Sequence, residues 1–151
     1  TPEVIAAARS RGLSLDDTVI LASVVEREAV IRAEQPVIAS VFLNRLKAGL
    51  PLQADPTVQF AIANAKPPSG TGGWWKTDLT VADLRVDSPY NTYRNPGLPP
   101  GPIANPGIDA IKAVANAATT DYLYFVAKGD GSHAFARTLD EHNANVARYQ
   151  R

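Results

Sequence analysis

At 151 residues the chain fits one domain around one core, and its 15 basic residues balance its 15 acidic ones. A net charge of zero argues against nucleic acid or an anionic membrane as the main partner, since both want a surplus of Lys and Arg. With no cysteine there are no disulfides, thiol nucleophiles or cysteine-ligated metal sites, which fits an oxidising compartment without requiring one.

No apolar run has the length of a membrane span, and the amphipathic stretch that follows Thr1-Pro2 does not read as a signal peptide. The missing initiator Met leads us to expect a piece of a longer protein. A short helix is expected over residues 3–9, stopping at Gly12. Asp16 or Asp17 then caps a longer helix running to about Glu34, with Ile20, Leu21, Val24, Val25 and Ile31 as its large apolar residues. Pro36 suits the first turn of the next helix, which carries Ile38, Val41, Phe42 and Leu46 and closes at Gly49. Asp55-Pro56 repeats the start signal, cap then Pro, for a helix through Ile62.

Residues 66–77 are rich in Gly and Pro and read as a loop holding Trp74-Trp75, a pair suited to stacking on sugars or to filling a core corner. A short helix starts at Thr80, and residues 87–105 form a long, ordered, proline-punctuated loop. Pro106-Gly107 opens a helix over 108–117. The period then changes: 122–127 reads as a strand, Gly129-Asp130-Gly131 as a turn and 132–137 as its hairpin partner, with a last helix from the cap Asp140 to Tyr149. The sum is an α+β fold, a mostly helical single domain over 1–151 with a C-terminal hairpin and long proline-rich loops.

At about 100° per residue, Glu28 falls inside the apolar arc of the second helix, one turn beyond Val24 and Val25, whereas Glu26 lies on the other side. A carboxylate in an apolar arc is costly unless paired, protonated or opened into a cleft. Two readings follow for Glu28: a buried glutamate bonded to an Arg or a backbone amide, or an acid whose pKa is raised by desolvation. Gln53 to Thr57 read as a plain helix start or as polar residues flanking one. Tyr90-Asn91-Thr92-Tyr93 offers stacking faces and neutral hydrogen-bonding groups suited to a sugar, or else straps the core. His133 and His142 lack metal-ligand spacing with Glu28 or Glu141, and no Gly-x-Ser-x-Gly motif supports a serine nucleophile. No metal and no cofactor is expected.

An ordered set of blocks then stands out: Leu21-Ala22-Ser23-Val24-Val25-Glu26-Arg27-Glu28, Ala39-Ser40-Val41-Phe42-Leu43-Asn44-Arg45-Leu46, Leu52-Gln53-Ala54-Asp55-Pro56-Thr57-Val58, Tyr90-Asn91-Thr92-Tyr93, Gly97-Leu98-Pro99-Pro100-Gly101-Pro102-Ile103, Tyr122-Leu123-Tyr124-Phe125-Val126, and His133-Ala134-Phe135 with His142-Asn143. In these the chain resembles the catalytic domain of the YceG-like, or MltG, family of endolytic murein transglycosylases. The resemblance implies cleavage of peptidoglycan between N-acetylmuramic acid and N-acetylglucosamine without water, leaving 1,6-anhydro ends. One glutamate serves as acid and then base, unlike glycosidases that use two carboxylates.

The resemblance carries this role to Glu28, with Glu26 as the fallback, and makes Gln53, Asp55, Thr57, Tyr90, Asn91 and Tyr93 substrate-binding. Asn44 and Arg45 orient these residues or simply finish a helix. It further implies an extracytoplasmic location, a parent anchored by an N-terminal membrane segment, and cell-wall synthases as partners reached through that parent. A hydrolytic muramidase, with Asp55 holding a water, and a non-catalytic glycan-binding module are the competing readings.

Overall fold

The computed structural model describes residues 1–66 and 74–150. The first helix, α1 (Pro2–Ser10), stops before Gly12, as expected. The second, α2 (Leu15–Glu28), starts one turn earlier than the acidic pair suggested. Ser14 is its cap: the Ser14 hydroxyl accepts from Asp17 N at 3.0 Å while the Asp17 carboxylate accepts from Ser14 N at 3.1 Å.

α2 also ends six residues short of the expected Glu34. Ala29 and Ile31 are both extended, Val30 is exposed, and a single 3-10 turn (Arg32–Glu34) follows. Two consecutive β-branched residues suit this extended path better than another helical turn. The consequence is that Glu28 stands at the open end of a helix.

α3 (Gln35–Ala48) carries Pro36 in its first turn and closes on Gly49, whose φ of 73° is the left-handed cap a glycine adopts without strain. α4 (Asp55–Ala65) is capped by Ala54, not Asp55, and no side chain closes its first turn. The Asp55 carboxylate is thereby left for another partner. α5 (Ile108–Ala115) and α6 (Leu139–Tyr149) complete the helices. For α6 the cap is Thr138, whose hydroxyl accepts from Glu141 N at 3.1 Å, and not Asp140. Thr80 pairs with Asp83 to start a 3-10 turn (Asp83–Arg85).

The core is built by α2, α3 and α5. Leu21, Val24 and Val25 meet Ile38 and Phe42 on one side and the small residues Ala110, Val114 and Ala115 on the other, all essentially solvent-free. Alanines on α5 let its backbone approach α2 closely. Arg11 locks the far end, donating to the carbonyls of Ala115, the last residue of α5, at 2.9 Å and of Ala117, just past it, at 2.7 Å.

β1 (Tyr124–Ala127) and β2 (His133–Ala136) form an antiparallel hairpin, Tyr124 opposite Ala136 and Ala127 opposite His133, with α6 packed on both strands. Its turn uses Gly129 and Gly131 at φ 94° and 92°, as Gly129-Asp130-Gly131 suggested. The fold is α+β, as the sequence implied. Of the expected loop over 66–77, residues 67–73 lie outside the described residues.

Candidate active site

Side chains of the helical body tie down the two ends of the hairpin and leave a cleft between hairpin and body. Asn44 Nδ2 donates to Thr120 O at 3.0 Å and Tyr122 O at 2.9 Å, and Arg45 Nη1 donates to Leu123 O at 2.8 Å. At the other end of the hairpin the Glu34 carboxylate spans His133, accepting from its backbone N at 3.0 Å and meeting Nδ1 at 2.8 Å. The cleft encloses about 420 Å³, within the usual range for small-molecule sites. Glu28, Arg45, Gln53, Asp55 and Tyr93 line it from the body; Tyr124, Val126, His142, Val146 and Gln150 line it from the hairpin and α6.

Glu28 is half-buried by surface area, yet protein atoms crowd its carboxyl on most sides. No hydrogen-bond or ion-pair partner meets that carboxyl among the described residues. Burial, and secondarily the charge of Asp55, push its pKa from 4.5 up to about 8. The group is thus a neutral acid at pH 7, facing a cleft. Glu26, two residues earlier, is a different object. Its carboxylate accepts from Gly107 N at 3.0 Å and from Gln35 Nε2 at 3.3 Å, tying α2 to the starts of α5 and α3 outside the cleft.

The wall bearing Gln53 and Asp55 is positioned by a buried threonine pair. Thr57 and Thr92 hydroxyls meet at 2.8 Å; Thr92 Oγ1 accepts from Ala54 N at 3.0 Å, and Thr92 O accepts from Gln53 N at 3.2 Å. Gln53 is held at φ 52°, a left-handed conformation uncommon for such a residue and typical of functional sites. Tyr93 donates its phenol proton to Asp55 Oδ1. Burial first, then the Asp55 bond and charge, raise the Tyr93 pKa well above the ordinary phenol value, so it remains a donor.

Of the expected site residues, Glu28, Gln53, Asp55 and Tyr93 meet in the cleft, and Thr57, Tyr90 and Asn91 stand behind it. Thr57 is solvent-free beneath the wall. Asn91 is solvent-free too: Nδ2 donates to Leu84 O at 3.0 Å and Val86 O at 2.9 Å, and Oδ1 accepts from Tyr93 N at 3.0 Å. Tyr90 packs on Phe60 at 4.8 Å between ring centroids, its hydroxyl against the Gly101 backbone. These three fix the loop that presents Tyr93. Trp75 lies under the Arg27 guanidinium at 4.0 Å and Trp74 is exposed; neither lines the cleft.

Tyr124 and His142, on the hairpin and α6 side of the cleft, were not singled out as site residues in the sequence. Both did fall in quoted blocks, but a strand tyrosine and a helix histidine show no spacing that points at a site. Arg45 also faces the cleft, buried, with Nε donating to Pro51 O at 2.8 Å.

Comparison with known proteins decides the family. The profile of the YceG-like family matches residues 2–148. The chain belongs to the YceG-like family. It is 45% identical over 137 residues to a Bacillus subtilis protein named endolytic murein transglycosylase, covering 91% of this chain and 35% of that one. A Streptococcus pneumoniae protein of the same name is 37% identical over 142 residues, covering 93% of this chain and 25% of that one. The crystal structure of a YceG-like protein from Listeria monocytogenes superposes with a TM-score of 0.77 at 40% identity, over 92% of this chain and 41% of that one. The chain therefore spans about a quarter to two-fifths of the relatives it matches.

Proposed function

We propose that this YceG-like domain is an endolytic lytic transglycosylase, cleaving peptidoglycan glycan strands between N-acetylmuramic acid and N-acetylglucosamine, with Glu28 as acid and then base. The supporting observation is a glutamate with no partner among the described residues, neutral to about pH 8, opening into a cleft. As the acid, Glu28 protonates the glycosidic oxygen while the bond to muramyl C1 breaks. The resulting Glu28 carboxylate takes the proton of the muramyl C6 hydroxyl as O6 closes on C1. The product is a 1,6-anhydro end, and no water is consumed.

Asp55, oriented by Tyr93, supplies negative charge beside the oxocarbenium-like transition state, and Gln53 contacts an N-acetyl group. On this reading the domain works outside the cytoplasm, and a membrane anchor and synthase contacts belong to the parent protein.

The second carboxylate, Asp55, is the observation favouring a hydrolytic muramidase, in which it would hold a water for attack. Mass spectrometry of digested glycan strands separates the two. Transglycosylation leaves anhydro ends, whereas ends heavier by one water would overturn it. A digest with no new ends of either kind would instead favour a glycan-binding module.

A further inference from the structure

Among the described residues, His142 is the one cleft-lining side chain with a buried polar atom that nothing satisfies. Its Nδ1 is covered by protein and has no hydrogen-bond partner among the described residues. The ring stacks on Tyr124 at 5.0 Å and 22°, and the Arg45 guanidinium lies 5.3 Å from the same Tyr124 ring. That tyrosine also lines the cleft. Burial, then the charge of Arg45, lower the histidine's pKa, which keeps the ring neutral at pH 7.

In a neutral imidazole one nitrogen carries the proton and the other a bare lone pair. A buried N–H left without an acceptor is rarer in folded proteins than an acceptor left short of a donor. The proton therefore belongs on Nε2. This atom makes no hydrogen bond among the described residues and is not among the covered, unsatisfied atoms. The stack on Tyr124 fixes the ring, so the donor is presented without further loss of side-chain freedom.

We propose that His142 is a substrate-binding residue, donating from Nε2 to a hydroxyl or acetamido oxygen of an N-acetylated sugar, with Tyr124 beside it as a stacking face. This rests on the reading that the cleft takes a glycan strand. It adds a polar contact from the hairpin and α6 side, where the sequence-derived site had none.

The test uses Glu28→Gln protein, so that strands are bound and not consumed, with peptide-free peptidoglycan glycan strands as the probe. His142→Phe keeps the stack and removes the donor, and is expected to weaken binding roughly five- to tenfold. His142→Gln, which retains a donor, is expected to recover part of the loss. In the parent, NMR should find the His142 proton on Nε2 and the ring resonances shifting on strand addition.

Affinity within twofold for His142→Phe, or ring resonances that strands leave unmoved, would overturn the proposal. If strands still shift the Tyr93 ring in that case, the cleft remains the glycan site and only the role of His142 falls. If strands move neither ring, both readings fall together. Consumption of strands by Glu28→Gln would overturn the acid assignment alone.

Discussion

The last turn of α2 sends two carboxylates into two different regions of the molecule. On the side facing α5, Glu26 meets a backbone N–H and a glutamine amide and acts as a brace. On the cleft side, the Glu28 carboxyl is desolvated by burial and lies in the field of Asp55, and its proton is retained. Two residues of helix rotation separate a group satisfied by pairing from one activated by desolvation. Chain geometry, more than residue type, sets the difference: α2 ends at Glu28, and the extended run after it opens the cleft at that point.

Exchanging each glutamate for glutamine is the strongest way to break this contrast. Glu28→Gln should lower the release of anhydro ends by at least roughly a thousandfold, within the usual range for losing a general acid. Glu26→Gln should keep activity within about tenfold and instead lower stability by about 1 kcal/mol. A reversal of the two activities would transfer the acid role to Glu26.

The proton held by Glu28 brings a pH dependence of its own. A carboxyl with a folded pKa of about 8 and an unfolded value near 4.5 holds a proton in the native state that the unfolded chain has released. Between those values stability falls as pH rises, and the deficit is complete above about pH 8. Glu28→Gln should therefore be the more stable protein at pH 8, on the order of a few kcal/mol, with the gap closing below pH 4.5. Denaturation at both pH values checks this, and equal gaps at the two would contradict it.

The loop carrying Tyr90 to Tyr93 sharpens the contrast between brace and site. Asn91→Ala strands two partly buried carbonyls, those of Leu84 and Val86, and should destabilise by about 1–2 kcal/mol in urea melts. Glycan affinity of the fraction that stays folded should be unchanged, and a loss of affinity without a loss of stability would make Asn91 a sugar contact. Gln53→Gly probes the opposite balance. Relief of the left-handed strain should leave stability level or raise it by up to about 1 kcal/mol, while removal of the side chain weakens glycan binding. Marked destabilisation would mean that the Gln53 side chain is structural.

Much of this was readable from residue patterns, and the misses have physical causes. Helix periodicity separated Glu28 from Glu26 without coordinates, because both lie within a turn of strongly apolar residues. Cap positions were less legible: Ser14, Ala54 and Thr138 took places expected of Asp16 or Asp17, Asp55 and Asp140. Each displaced aspartate is also a good first-turn residue, so composition alone does not fix the boundary. For Asp55 the shift matters, since a carboxylate not used as a cap is available to Tyr93 and the cleft.

Thr57, Tyr90 and Asn91 illustrate a second limit. Polar residues suited to sugars are equally suited to pinning a loop, and burial, which separates the two roles, is a tertiary property. The hairpin side of the cleft was hidden for the related reason that Tyr124 and His142 are 18 positions apart in sequence and meet only when α6 folds onto β1.

The central claim is that Glu28 is a protonated acid in the cleft at neutral pH. Carbon-13 NMR of the Glu28 side-chain carboxyl, assigned by its loss in Glu28→Gln, measures that directly across a pH titration. The expected midpoint lies near pH 8 and moves downward in Asp55→Asn as the raising charge is removed. A midpoint near the ordinary 4.5, unmoved by Asp55→Asn, would contradict it.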